Sequence, residues 1–347
     1  MRDDMRIMTA KPLNAETPVE RLRSWVTANE VFFDRNQGQI PDEKIALDQW
    51  ALTIDGEVRT PLRLTFDQIG RRPKTIAANT LECSGNGRSL LAAKASGNPW
   101  TIGGVGNAVW GGVALSVLLD EAGLGRRAAH VSFEGMDTPL GKAQIPFVRS
   151  IPIEKAMHST LLAYEMNGAP LPLKHGFPLR ALALGWTGAN CVKWLKRITV
   201  LEKPHTGFFM DKVYRVFQKG QKPETGDIVT EIKLKSIITQ PLPGERCRAG
   251  RIVVLGAAYA GEDRVAEVEV SIDGGATWQP AECIGPDAPY AWRQWRYVWE
   301  GVAPGGYTLL ARATDSRGIR QPAKAAWNFL GYGNNGVAEH AVTIEVR

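Results

Sequence analysis

The sequence predicts an α+β domain over residues 1–225, followed by an all-β, immunoglobulin-like sandwich over residues 226–347. Three observations predict it. Helical and strand-like segments alternate irregularly before about residue 215, and short alternating strands at roughly ten-residue spacing follow residue 230. Between them lies a polar stretch bearing Pro and Gly, QKGQKPETGD at 218–227, within a boundary region of 215–232. A chain of 347 residues is long for one hydrophobic core and comfortable for two.

Taken in order, residues 1–45 are polar and mixed. ALTIDGEV at 51–58 reads as a strand, a turn at Asp55-Gly56 and a second strand, and LTFDQIG at 64–70 as a short helix ending near Gly70. In 112–124, Val113, Leu115, Val117 and Leu118 recur at helical spacing and Gly123 stops the run, which predicts a helix. Residues 131–135, 181–186 and 197–203 read as strands. Beyond residue 230, VAEVEVSIDGGATW at 265–278 sets Val268, Val270 and Ile272 against Glu267, Glu269 and Ser271. A two-glycine turn follows, the signature of a hairpin. Residues 295–299 and 307–315 alternate in the same way. The eleven tryptophans, many in the last third, supply bulky packing for such a module.

Composition narrows the function. At 44% hydrophobic and 22% charged the chain is globular, not disordered. The net charge of +6 is spread along the sequence with no basic stripe, which argues against nucleic-acid binding and for a field that draws small anions to a cleft. No apolar run approaches a membrane span, and the N-terminus shows neither a secretory core nor a twin-arginine pair, so a cytoplasmic location with no membrane contact is expected. The four cysteines, Cys83, Cys191, Cys247 and Cys283, form no CxxC pair and no haem-attachment motif, which fits a reducing compartment.

TLECSGNGRS at 80–89 is the first segment with chemistry in it. Its cysteine stands in a glycine-bearing loop where backbone N–H groups and Arg88 could lower the thiol pKa. On these ten residues alone, a buried structural cysteine beside a glycine turn is the favoured reading.

The wider context separates the two readings. Cys83-Ser84-Gly85-Asn86-Gly87-Arg88 resembles the cysteine loop of the sulfite oxidases and their assimilatory nitrate-reductase relatives. Further blocks follow in order: WTIGGVGNAVWGGVALSVL at 100–118, FEGMD at 133–137, and LAYEMNGAPLPLKHGFPLRALALGWTGANCVKWL at 162–195. DGGATW and the tail AWNFLGYGNN resemble the family's dimerisation domain. The resemblance runs from about Phe33 to the end of the chain.

That resemblance implies a molybdenum cofactor held by a pterin dithiolene and one protein thiolate, Cys83; soft sulfur ligands suit such a metal. It places Phe33, Arg35, Asn36, Gln37, Asp137, His175, Arg180, Cys191, Val192 and Lys193 on the cofactor, with Arg180 near its phosphate. Arg35 and Arg88 are matched to oxyanion-binding arginines, Trp100 to a pocket tryptophan and Tyr214 to the active-site phenol. A forked guanidinium suits a sulfur oxyanion. The resemblance further implies a homodimer and oxygen-atom transfer, most simply sulfite to sulfate, with one molybdenum per chain. No haem module is read in the sequence, so electrons are expected to leave to an external acceptor.

Two departures blur the substrate. Gln37 replaces the family's histidine, and Leu330 stands where sulfite oxidases carry a further arginine, although Arg317 or Arg320 could supply that charge from another direction. Val213 precedes the phenol where nitrate reductases have asparagine. Reduction of nitrate or another oxyanion, and oxidation of a different sulfur compound, are therefore alternatives. A metal-free binding protein is a third, which a stoichiometric molybdenum assay would decide.

Overall fold

The computed structural model describes residues 5–41, 45–141 and 144–347. Residues 1–4, part of the N-terminus read above for a leader, lie outside the described residues.

Two five-stranded sheets build the first domain. One runs Ala169–Pro170, Thr160–Met166, Val105–Ala114, Thr75–Glu82 in antiparallel order, with Arg180–Ala183 also paired to Thr160–Met166. The other runs Leu62–Thr65, Ala51–Gly56, Leu195–Leu201, His130–Gly135, Val148–Pro152, and its one parallel pair joins Ala51–Gly56 to Leu195–Leu201. Leu52, Ile54, Val113, Phe133, Leu162 and Ile198 meet in a single core between them. The short helix Phe66–Gly70 begins with a capping box, in which Thr65 accepts from the Gln68 amide and Gln68 accepts from that of Thr65.

The structure corrects three local expectations. The helix read over 112–124 spans Leu115–Ala122, because Gly112 to Ala114 continue the strand Val105–Ala114. A Cβ on Gly112 would come 2.0 Å from the Leu162 carbonyl oxygen, so the glycine serves close strand pairing at a bulge. Asp55-Gly56 is no turn: it lies at the end of a strand with Leu195–Leu201 alongside, and tertiary pairing outweighs the local turn signal. The strand read over 181–186 is Arg180–Ala183, since Gly185 adopts a positive φ of 76° and turns the chain.

The second domain is a sandwich. Lys235–Gln240, Gly250–Tyr259, Arg293–Val302 and Glu282–Ile284 form one sheet. Arg246–Cys247, Val342–Val346, Gly305–Asp315, Val265–Ser271 and Gln279–Pro280 form the other. The hairpin lies where the sequence places it, with Gly274 and Gly275 at positive φ in its turn. Trp295, Val254, Val268, Leu309 and Ala313 fill the interior. The domains are packed together: Leu22 shares a buried cluster with Ile237, Tyr259 and Trp292. Among the described residues no helix is long and apolar enough to cross a membrane.

Candidate active site

The first domain holds a partly open cleft to which widely separated segments contribute. Cys83 follows the strand Thr75–Glu82, Asp137 follows His130–Gly135, and Arg180 opens Arg180–Ala183. Cys191, Val192 and Lys193 precede Leu195–Leu201, and Phe33 to Gln37 come from the N-terminal segment. Of the residues expected at the site, Phe33, Arg35, Asn36, Gln37, Cys83, Asp137, His175, Arg180, Cys191, Val192, Lys193 and Tyr214 all line this cleft.

Arg88 and Trp100 are placed differently. Both are buried one layer behind the wall. Trp100 is fully enclosed and meets Phe33 edge to face at 6.2 Å. The Arg88 guanidinium donates to the carbonyls of Leu330 at 2.8 Å and Asn98 at 2.7 Å, and lies 5.3 Å over the Tyr332 ring. Gly85 makes room for it, since a Cβ there would come 2.4 Å from its Nη2. Arg88 therefore acts on the cleft through its field and not by contact.

The Cys83 loop is held by its backbone. Cys83 donates its amide to the Gly104 carbonyl at 2.8 Å, and its own carbonyl accepts from Asn86 at 2.8 Å. The side chain is buried, which corrects the expectation that the loop's amides and Arg88 lower its pKa. Burial pushes the thiol pKa up and outweighs the opposing charges of Arg35 and Arg88.

Also lining the cleft, Tyr214 carries φ 56°, a left-handed backbone that bulky side chains rarely adopt. Gln37 Nε2 donates to its hydroxyl at 2.6 Å, and Arg35 also hydrogen-bonds that phenol. Burial pulls the Arg35 pKa down, but Tyr214 and Cys83 hold it above its ordinary value. Toward the floor, Arg180 donates to the His175 carbonyl at 2.7 Å and its buried Nε has no partner. Burial lowers Arg180 to about 10 and holds His175 well below its ordinary value, so the imidazole is neutral and its Nε2 donates to the Asn29 carbonyl at 3.0 Å. Lys193 donates to Asn36 Oδ1 and to the Lys174 carbonyl, and burial lowers it to about 7. Asp137 is raised by burial against the pull of Lys193, and a Cβ at Gly38 would come 2.5 Å from its Oδ2.

Sequence reasoning missed Trp194, Phe147 and Ser84 on the wall, and Arg149 behind Tyr214. Trp194 and Ser84 sit inside the matched blocks next to Lys193 and Cys83, a signal that was present. Arg149 had only a faint one, a lone cation in the strand Val148–Pro152.

The chain resembles known proteins along its whole length. Residues 37–209 match the family model of the oxidoreductase molybdopterin binding domain, and residues 226–346 that of the Mo-co oxidoreductase dimerisation domain. The chain is 36% identical to mitochondrial sulfite oxidase of Rattus norvegicus over 99% of its own length and 66% of that protein, just under two thirds. It is 34% identical to nitrate reductase [NADH] 2 of Phaseolus vulgaris over 95% of this chain and 41% of that one. The crystal structure of the sulfane dehydrogenase SoxCD from Paracoccus pantotrophus superposes with a TM-score of 0.85 at 29% identity, covering 98% of this chain and 88% of that one. With both domain models matched and the cysteine, phenol and cations gathered on one cleft, the chain belongs to the sulfite oxidase family of molybdopterin-binding oxidoreductases.

Proposed function

We propose that the protein oxidises sulfite to sulfate and passes the electrons to an external acceptor. The observation that carries this reading is the convergence of Cys83, Arg35 and Tyr214 on one cleft whose floor is cationic.

The residues fit the family's cofactor. Among the described residues no three His, Cys, Asp or Glu side chains stand together to hold a metal, so a metal at Cys83 needs ligands from a bound group. The orphaned Nε of Arg180 and the half-neutralised Lys193 are donors suited to a phosphate. When bound, the cofactor supplies two-electron oxygen-atom transfer. Arg35 brings a guanidinium charge to the oxyanion, and hydrogen bonds from Gln37 and Arg35 hold the Tyr214 phenol at the cleft wall, where it can exchange a proton with the substrate. Gln37 is neutral at all working pH values, so no imidazole titration is added at this position.

Sulfite-dependent reduction of an artificial dye by the molybdenum-replete protein is the expected result. Nitrate reduction without sulfite oxidation would overturn it. The SoxCD likeness and the uncharged Leu330 favour a second reading, oxidation of another sulfur compound, which the same assay with sulfane and thioether substrates tests.

Lys193 gives the site a pH dependence. Its folded-state pKa of about 7 lies below the ordinary 10.5, so between these values the unfolded chain binds the extra proton. The lysine's contribution to the stability of the cofactor-free protein therefore rises with pH across that window. An anionic ligand favours the charged amine, so affinity of the cofactor-free protein for pyrophosphate should fall by up to about ten-fold per unit above pH 7. Calorimetry at pH 6.5 and 8.5 checks this, and equal affinities would refute it.

The match to a dimerisation domain supports a homodimer. The full chain should sediment at twice its 38.0 kDa mass at micromolar concentration; a monomer there would contradict the proposal.

A further inference from the structure

We propose that Arg149 supplies a buried positive charge to the oxyanion cleft from behind Tyr214 and thereby sets its affinity for doubly charged tetrahedral anions, an inference that rests on the oxyanion reading above. Arg149 projects from the strand Val148–Pro152 and is fully buried. Its Nη2 donates to Asn190 Oδ1 at 2.9 Å and its Nη1 to the Phe209 carbonyl, while Nε has no partner. These acceptors are neutral, and among the described residues no carboxylate pairs with it. An unpaired buried cation is costly, and burial lowers its pKa only to about 10, so it stays charged at neutral pH.

The surroundings show where that charge is directed. The guanidinium lies 5.3 Å over the Tyr214 ring, Tyr214 stacks on Tyr332 at 5.5 Å and 18°, and Arg88 lies 5.3 Å over the far ring. The result is a stack of cation, phenol, phenol and cation along one side of the cleft. Leu330 packs into the same cluster and adds no charge. Arg317 and Arg320 are turned elsewhere: Arg317 pairs with Asp263 at 2.6 Å and Asp315 at 3.4 Å, and Arg320 lies 3.8 Å from Glu269. Arg149 does not itself line the cleft and lies against it through the Tyr214 ring, so it is a positioning and charge-supplying residue, not a catalytic one. A unit charge about 10 Å from a dianion at an effective dielectric near 20 changes affinity by ten-fold or more.

The test uses molybdenum-replete protein, with sulfate titrated calorimetrically and sulfite turnover measured alongside. Arg149→Met should raise the sulfate Kd and the sulfite KM by at least about ten-fold, with kcat changed far less. Arg149→Lys, which keeps the charge, should stay within about three-fold of wild type. Asn190→Asp keeps the guanidinium in place and sets a carboxylate against Nη2; it should weaken sulfate as Arg149→Met does. It therefore decides the matter even if Arg149→Met does not fold. Unchanged sulfate affinity in Asn190→Asp, or in a folded Arg149→Met, overturns the inference alone. A wild-type protein that binds no sulfate overturns the oxyanion reading and this inference with it.

Discussion

Replacing Cys83 by alanine should leave a folded protein with less than about one hundredth of wild-type turnover and little bound molybdenum, because a methyl group cannot complete a metal's coordination. The fold should survive. The contacts that hold the loop are made by backbone atoms and by Asn86, whose Nδ2 donates to Glu82 at 3.0 Å and whose Oδ1 accepts from Gly104 at 2.9 Å. The sulfur adds only a contact with the Gly85 amide. Loss of one buried atom costs on the order of 1 kcal/mol, which the two packed domains can absorb. Cys191 also lines the cleft, but its thiol is turned to the Ala183 carbonyl at 3.9 Å, so it does not stand in for Cys83. Molybdenum per chain and turnover per molybdenum, measured on the same preparation, decide the assignment. Near-normal turnover per molybdenum in Cys83→Ala would rule Cys83 out as the ligand.

The cleft was legible in sequence wherever a residue belonged to an ordered block of matches, as His175, Arg180 and Lys193 do. Depth was not legible. Motif matching says that Arg88 and Trp100 belong near the site, yet it cannot say which side of Phe33 or Tyr332 they occupy, because that depends on packing between segments far apart in the chain. Charge on the thiol was misjudged for the same reason. The loop's amides and Arg88 are local and visible, whereas the burial that dominates the Cys83 pKa comes from tertiary structure. Arg149 marks the limit: only the folded strand brings it beneath Tyr214.

The sandwich was legible because its strands carry their own period of two and their own turn glycines, both local signals. The first domain was less so. Its strands end where partners end, as the parallel neighbour of Asp55-Gly56 and the close approach at Gly112 show. What the sequence concealed altogether is that the second domain reaches under the cysteine loop.

That reach makes Lys235→Met the second large expected effect. Lys235 and Glu82 are almost fully buried, and Lys235 Nζ lies 2.5 Å from Glu82 Oε1. The same oxygen accepts from the Tyr259 hydroxyl at 2.8 Å and from Asn86. Glu82 immediately precedes Cys83, so a residue of the sandwich anchors the loop of the other domain. Removing the ammonium leaves a buried carboxylate with only neutral donors, a loss of about 3–5 kcal/mol. The melting temperature should drop by roughly 5–10 °C, and molybdenum content should fall as Glu82 shifts to find solvent and carries the loop with it. Removing both charges is different. In Glu82→Gln/Lys235→Met no ion is stranded, so the double variant should recover most of the lost stability, with a coupling well above additivity. Melting curves of the wild type, the two single variants and the double variant measure that coupling. If Lys235→Met melts with the wild type, or if the two losses simply add, the pair contributes nothing to holding the loop.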